Sequence, residues 1–189
     1  RPHKSVHAGR GHGTQSCQDD RIITALGGSA RASTGTVALP SAQKVAAGGA
    51  GLTLAKLITA KQLLDEAGVD EDEERYIVTT SEQVSDLLNT TQATSADYNT
   101  VKALVRGDID TFLGFKFKRS ERLVKCGTSR FCYAWGKSGL RLGIGKEIAT
   151  SIDTMPNKNQ SVQVYARMSL GAVRTEEVRV VEIACIEAA

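Results

Sequence analysis

Two glycine-containing stretches of the sequence have residue types that could bind phosphate. The segment "GLRLGIGKE", residues 139–147, has the closing glycine and lysine of a phosphate-binding loop. Such a loop also needs a glycine where Leu140 stands, and a serine or threonine where Glu147 stands to hold magnesium. The segment "GRGHGT", residues 9–14, has glycine spacing but no strand before it. We therefore interpret residues 139–147 as a strand with glycines at a bend.

Catalytic side chains are scarce. The three histidines, His3, His7 and His12, all lie in the opening of the chain, so a serine or cysteine nucleophile further on has no histidine base. The acidic run at residues 70–74 lacks the alternating ligands and central glycine of a calcium loop. Paired-carboxylate and lysine chemistry stay open. We predict no catalytic residue, no metal site and no cofactor, and an unrecognised enzyme is the weakest alternative.

Composition is that of a folded, soluble protein. The 189 residues are 41% hydrophobic and 24% charged, with 24 basic and 21 acidic residues, and this net charge of +3 is too small to indicate nucleic-acid binding by itself. The four cysteines have no disulfide or zinc spacing. Free thiols, the lack of an apolar run of about 20 residues and the lack of a secretory signal predict a protein made in the cytoplasm, with no membrane partner.

The segment "GFKFKRSERL", residues 114–123, combines an apolar alternation with a cluster of charges. Phe115 and Phe117 fall on the face opposite the lysines, as in a half-buried strand. The charged end could contact nucleic acid, although it lacks an aromatic stacking platform. We favour a structural strand with a charged outer face, whose charges pair with acidic residues of a neighbour. The candidate contact residues are Lys116, Lys118, Arg119, Glu121 and Arg122.

Helical periodicity dominates the first half of the chain. Apolar residues including Leu57, Ile58 and Leu64 predict a helix over residues 52–67. The segment "RYIVTT", residues 75–80, predicts a buried strand, and Thr80 with Gln83 forms a capping box that starts the next helix. A further helix is expected between residues 95 and 107. A short helix is expected at residues 18–26, after a structureless or foreign tail at residues 1–17.

The second half alternates with a period of two. Strands are predicted at residues 111–119, 131–135, 140–144, 161–170 and 177–186. Helices followed by strands indicate an α+β fold. The acidic run at residues 70–74 and the basic run at residues 116–125 suggest two surfaces of opposite sign.

The order of three segments resembles the major capsid proteins of tailed bacteriophages, the family with the Hong Kong 97-type fold. The segments are "ERYIVTTSEQVSDLLN", "SADYNTVKALVRGDIDTFLGFKFKRSERL" and "VQVYARMSLGAVRTEEVRVVEIAC". The resemblance implies that residues 18–50 hold the end of the spine helix and a loop or strand region. Residues 51–130 resemble the axial α/β region, and residues 131–189 the strand-rich region with returning peripheral-domain strands, with an arginine-containing turn at residues 171–177. We expect an amino-terminally incomplete copy.

The resemblance also implies a function. It implies a structural protein that assembles with itself, as pentamers and hexamers, into an icosahedral shell around the double-stranded DNA of a phage. Scaffold and portal proteins are further expected partners, and the expected location is the virion capsid. The alternative is the shell protein of a bacterial nanocompartment of the encapsulin type.

Overall fold

The computed structural model describes residues 10–32, 35–70, 72–91 and 111–187, and in them helices precede a strand-rich second half. The α-helices are α1 (Arg10–Gly27), α2 (Leu54–Glu66) and α3 (Ser81–Thr91). The strands are β1 (Ala30–Ala32), β2 (Gly35–Val37), β3 (Lys44–Val45), β4 (Arg75–Thr79), β5 (Thr111–Phe112), β6 (Phe115–Arg119), β7 (Lys125–Cys126), β8 (Ser129–Gly136), β9 (Leu140–Met155), β10 (Ser161–Arg174) and β11 (Val180–Ile186). This arrangement confirms the predicted α+β class.

One mixed sheet organises the core. Its strand order is β3, β11, β8, β4, β6 and β5, and the short β7 pairs with β8. β11 and β3 are parallel, as are β4 and β6, whereas β8 runs antiparallel to both β4 and β11. The central strands are buried, as the "RYIVTT" pattern predicts.

Helix α2 covers part of this sheet. Its Leu57, Ala60 and Leu64 are fully buried. Its N-cap is Thr53, whose side chain accepts a hydrogen bond from the backbone nitrogen of Lys56 at 3.4 Å. The helix was predicted over residues 52–67, so its position is confirmed. Ile58, which was predicted for the buried face, is 52% exposed because Ala60 takes the inward position.

The capping box before α3 is present. The backbone nitrogen of Thr80 donates to Oε1 of Gln83 at 3.2 Å, and both side chains are buried. This pairing satisfies a donor that the first turn of the helix leaves free. The helix predicted between residues 95 and 107 lies outside the described residues, which resume at Thr111.

The single strand predicted over residues 111–119 is wrong. Leu113 and Gly114 have φ angles of 52° and 83°, and they form a two-residue turn that pairs β5 with β6. Leu-Gly is not one of the residue pairs that usually signal a tight hairpin turn, so the sequence pattern concealed the reversal. The turn brings Phe112 opposite Phe115, and both are buried.

Helix α1 begins earlier than the sequence predicts. It starts at Arg10, so residues 10–17 of the predicted tail are helical, although Gly11 and Gly13 are poor helix formers. The helix lies against β10, and Ile23 and Leu26 enter the core.

The last strands differ in length from their predictions. β9 and β10 form a long two-stranded ribbon, paired from Leu140 with Arg174 out to Met155 with Ser161. The predicted strands at residues 140–144 and 161–170 were therefore too short, and the predicted turn at residues 171–177 begins only after Arg174. A 3-10 turn occupies Glu177–Arg179, so the last strand starts at Val180 and not at Glu177.

Arg174 joins the base of this ribbon to α1. It is 3% exposed, and its Nη1 donates to the backbone oxygens of Leu26 at 2.8 Å and Gly28 at 2.5 Å. Its Nη2 donates to the backbone oxygen of Val37 at 3.2 Å. Carbonyls at the end of a helix lack partners within the helix and carry partial negative charge, so a guanidinium is well suited to them.

We predict that Arg174→Met lowers the free energy of unfolding by about 2–4 kcal/mol, because buried carbonyl groups lose their charged donor. Urea denaturation monitored by circular dichroism measures the loss. Arg167→Met, an exposed arginine on the same strand, is the control and should cost less than about 0.5 kcal/mol. Equal losses in the two variants would show that Arg174 does not anchor the ribbon.

Candidate subunit interface

Strand β6 separates an apolar face from a charged face. Phe115 and Phe117 are 0% and 7% exposed, and the ring of Phe117 lies 6.5 Å from that of Phe112. Lys118 on the other face is exposed. The predicted division between core and surface is therefore confirmed for this strand.

Lys116, the first candidate contact residue, has a partner within the chain. Its Nζ forms an ion pair with Oε1 of Glu74 and lies 5.9 Å from the centre of the Tyr76 ring. Glu74 also accepts a hydrogen bond from Tyr76 at 2.7 Å and pairs with Lys137 at 3.2 Å. The hydrogen bonds from Lys116, Tyr76 and Lys137 lower the pKa of Glu74 to about 2.

This network corrects the expectation of two separate surfaces of opposite sign. Glu74 comes from the acidic run and Lys116 from the basic run, yet the parallel pairing of β4 with β6 places them side by side. Glu73 is also engaged, since it pairs with Arg179 at 3.2 Å and accepts a hydrogen bond from the backbone nitrogen of Ser138 at 2.5 Å. Thus some of the charged side chains that were predicted to contact another subunit are paired within the chain itself.

Glu121 and Arg122 also make contacts inside the chain. Glu121 accepts a hydrogen bond at 2.8 Å from the backbone nitrogen of Ser81, at the first turn of α3. Arg122 binds both carboxylate oxygens of Asp20 in α1 at 2.5 Å, and this hydrogen-bonded pairing lowers the pKa of Asp20. Both partners of this pair are about half exposed, so the bond leaves them accessible to a neighbour.

Lys118 and Arg119 border an open groove between α1 and the sheet. Asp19 and Ser120 complete the polar rim, and the apolar lining comes from three elements that lie far apart in the sequence. The apolar residues are Ile22, Ile23, Val78 and Trp135. Only the tertiary structure brings these residues together, which is why sequence reasoning missed the groove.

Sequence reasoning also missed a second charged cluster, which lies beside strands β7 and β8. Arg130 binds Glu187 through Nε at 2.6 Å and Nη2 at 2.9 Å, and Lys125 lies 3.4 Å from the same carboxylate. Hydrogen bonding from Arg130 holds the pKa of Glu187 at about 2, whereas a hydrogen bond with Glu187 raises the pKa of Glu82. The two carboxyl groups therefore bind protons with unequal affinity.

We predict that Glu187→Gln destabilises the protein by about 2 kcal/mol above pH 5, because the bidentate bond to Arg130 is lost. The pKa of Glu187 is lower in the folded state than in the unfolded chain. Its contribution is therefore present above about pH 4.5 and disappears as the pH falls through about 2. Urea denaturation across pH measures the difference. Glu147→Gln, at an exposed site on β9, is the control, and a pH-independent effect of Glu187→Gln would contradict the assignment.

Among the residues that the structure describes, no three histidine, cysteine, aspartate or glutamate side chains form a group that could hold a metal. Residues 140–147 extend as strand β9 and do not curl around an anion. The four cysteines are free thiols; Cys132 and Cys185 are buried, and Cys17 and Cys126 are exposed. No described helix is long and apolar enough to cross a membrane.

The ribbon of β9 and β10 carries most of the exposed apolar surface. Of the twelve large apolar side chains that are exposed in the described part of the chain, eight belong to these two strands. They are Leu142, Ile144, Ile148, Ile152, Val162, Val164, Tyr165 and Val173. Single exposed apolar residues are common, but a concentration of this kind indicates an interaction surface.

Solved structures that resemble this one include a phage capsid and an encapsulin. The structure of Mycobacterium phage Che8 matches with a TM-score of 0.60 and 19% identity, over 95% of this chain and 63% of that one. The capsid of Ralstonia phage GP4 matches with a TM-score of 0.67 and 11% identity, over 98% of this chain and 69% of that one. The SrpI encapsulin of Synechococcus elongatus PCC 7942 matches with a TM-score of 0.60 and 9% identity, over 99% and 68%. The chain spans less than two thirds of the Che8 protein.

These likenesses define the fold as the Hong Kong 97 type. The family model described as "Phage capsid protein" matches residues 6–187. The chain therefore belongs to the phage capsid protein family, as the sequence resemblance implied, and family membership identifies a structural protein. The match includes most of the segment predicted to be a foreign tail. No curated protein sequence matches the chain significantly.

Proposed function

We propose that the protein to which this chain belongs assembles with itself into an icosahedral shell, as pentamers and hexamers, and serves no enzymatic purpose. The observation that carries the proposal is the family match over residues 6–187. Double-stranded DNA, held without sequence specificity, is its proposed content, and scaffold and portal proteins are further proposed partners. The protein is made in the host cytoplasm and resides in the virion capsid.

The geometry suits a shell subunit that contacts its neighbours through distinct surfaces. The mixed sheet and α2 supply a rigid body, while the groove beside Lys118 and the exposed ribbon offer surfaces of different chemistry. When one surface of a subunit binds a different surface of the next copy, the copies form a closed ring if the successive rotations return to the first copy. We assign residues 51–130 to the axial region and residues 131–189 to the region of returning peripheral strands. Residues 18–50 supply the end of the spine helix.

The encapsulin type of shell is the second candidate. The likeness to the SrpI encapsulin favours it, at a TM-score of 0.60. The phage capsid family match favours a viral shell instead. The contents of the particles distinguish the two candidate functions, because a viral shell protects DNA from nuclease whereas a nanocompartment holds a protein cargo.

We predict that the full-length parent protein forms large hollow particles. Negative-stain electron microscopy and light scattering measure their size, and nuclease protection measures their DNA content. A strictly monomeric species at every salt and protein concentration would contradict the proposal. Particles that hold a protein cargo and no DNA would favour the nanocompartment.

We predict that Arg119→Glu and Arg122→Glu in the parent reduce assembly more than folding. Loss of the exposed Arg122–Asp20 pair should cost little stability, because solvent screens the two charges. The yield of sedimenting particles, compared with the unfolding midpoint, separates the two effects. Lys61→Glu, at an exposed position of α2, is the charge-matched control. A fall in stability with unchanged assembly of the folded fraction would assign these arginines to the fold alone.

A further inference from the structure

Two short turns connect the β9–β10 ribbon to the main sheet. A 3-10 turn at Lys137–Gly139 leads from β8 into β9, and the turn at Glu177–Arg179 leads from β10 into β11. The two turns contact each other, and we call them together the ribbon root. The ribbon and the main sheet are separate sheets, so strand pairing does not set the angle between them. That angle depends on the contacts that hold the ribbon root and on helix α1, which packs against β10.

The carboxylate of Glu73 binds both turns of the ribbon root. Its Oε1 accepts a hydrogen bond from the backbone nitrogen of Ser138 at 2.5 Å, and its Oε2 lies 3.2 Å from Nη1 of Arg179. The same Nη1 donates to the hydroxyl oxygen of Ser138 at 2.7 Å. One residue of each turn therefore contacts the other, and both share a single carboxylate. Hydrogen bonds with an ionised partner are roughly twice as strong as neutral ones.

Strand pairing places Glu73 beside the ribbon root. Arg75, the first residue of β4, pairs with Gly136 at the end of β8. The backbone nitrogen of Lys137 then donates to the backbone oxygen of Glu74 at 3.0 Å, which holds the 72–74 loop against the first turn. The register of the main sheet thus brings the loop before β4 to the point where the ribbon begins.

Glu73 is ionised at neutral pH although its side chain is only 16% exposed. Burial by itself would raise the pKa of Glu73, but hydrogen bonds from Ser138 and the charges of Arg179 and Arg75 outweigh it and lower the pKa. The carboxylate therefore carries its charge between the two turns.

The ribbon root is tightly packed. A Cβ atom on Gly139 would lie 3.0 Å from both the Cβ and the backbone oxygen of Arg179. A Cβ atom on Gly136 would lie 3.1 Å from Oε1 of Glu73. Glycine at both positions allows the two turns and the carboxylate to approach each other closely. A side chain at either position would push the turns apart.

We propose that Glu73 is a positioning residue that fixes the direction of the ribbon relative to the main sheet. Arg174 fixes the ribbon to α1, whereas Glu73 fixes it to the loop before β4, so the two residues hold different elements. β9 has 16 residues and extends about 50 Å, so a tilt of about 10° at the root displaces the far end of the ribbon by roughly 9 Å. For assembly, which rests on the proposed shell function, a fixed direction gives every copy the same contact geometry.

Distances between spin labels measure the direction of the ribbon in the 189-residue chain. With the exposed Cys17 and Cys126 replaced by serine, labels on Lys61→Cys in α2 and Asn157→Cys at the ribbon tip report the tip distance. Labels on Lys61→Cys and Lys118→Cys give the body distance, which reports general loosening of the fold. Double electron–electron resonance gives the distribution of each distance.

We expect Glu73→Ala to widen the distribution of the tip distance at least about twofold, because the charge-assisted bonds to both turns are lost. Glu73→Gln should widen it less, since an amide oxygen still accepts the hydrogen bond from Ser138 but carries no charge for Arg179. Asp72→Ala removes an exposed carboxylate from the same loop and should leave the distribution unchanged. The body distance should stay narrow in all three variants.

Several results would overturn the proposal. They are an unchanged tip distribution in Glu73→Ala, equal widening in Asp72→Ala, and equal widening of the body distance. Gly139→Ala supplies an independent test if Glu73→Ala does not fold. Its added methyl group must displace the Arg179 turn, so the tip distance should shift while the body distance does not. An unshifted tip distance in Gly139→Ala would also contradict the assignment.

The parent protein separates this proposal from the shell function. We expect the Glu73→Ala parent to give fewer closed particles than the Asp72→Ala parent when both are counted by electron microscopy. Normal particles from a Glu73→Ala parent would refute the role of Glu73 in assembly and leave the shell function standing. An unaltered parent that never forms particles would refute the shell function, while the label distances would still decide whether Glu73 positions the ribbon.

Discussion

The structure depends on a buried positive charge that binds backbone oxygens. Arg174 sits where α1, β2 and the ribbon meet, and its guanidinium binds carbonyls at the end of the helix and in the strand. Desolvation lowers its pKa, which is the expected cost of burial. An arginine keeps its charge despite such a shift, so the contact holds over the whole physiological pH range.

Lys56 makes the same kind of contact on the other side of the sheet. It is 8% exposed, and its Nζ donates to the backbone oxygens of Ala50 and Gly51 at 2.7 Å and of Ala184 at 3.0 Å. Burial lowers its pKa as well. Two loop-rich segments, before α2 and after α1, are thus fixed to the strands by cations as well as by the buried side chains of Leu39 and Leu52. This mode of anchoring suits a chain in which aromatic residues are only 5% of the total.

Internal charge pairing changes the interpretation of the surface. Lys116, Glu121 and Arg122 each contact a group of their own chain, so these charges position α1, α3 and the 72–74 loop around β6. Lys118 and Arg119 also line the groove between α1 and the sheet. The exposed apolar side chains of the β9–β10 ribbon add a surface of different chemistry.

The sequence by itself determined the α+β class, helix α2, the capping box of α3, the burial of Phe115 and Phe117, and the resemblance to phage capsid proteins. These features depend on local periodicity, capping chemistry and segment order, all of which are present along the chain. The tertiary structure alone decided the Leu113–Gly114 reversal, the extent of α1 and the length of the ribbon. It also decided the pairing of Glu74 with Lys116. The reversal lacks a usual turn signal. The pairing of Glu74 with Lys116 depends on strand register, which brings together groups whose separation no local pattern records.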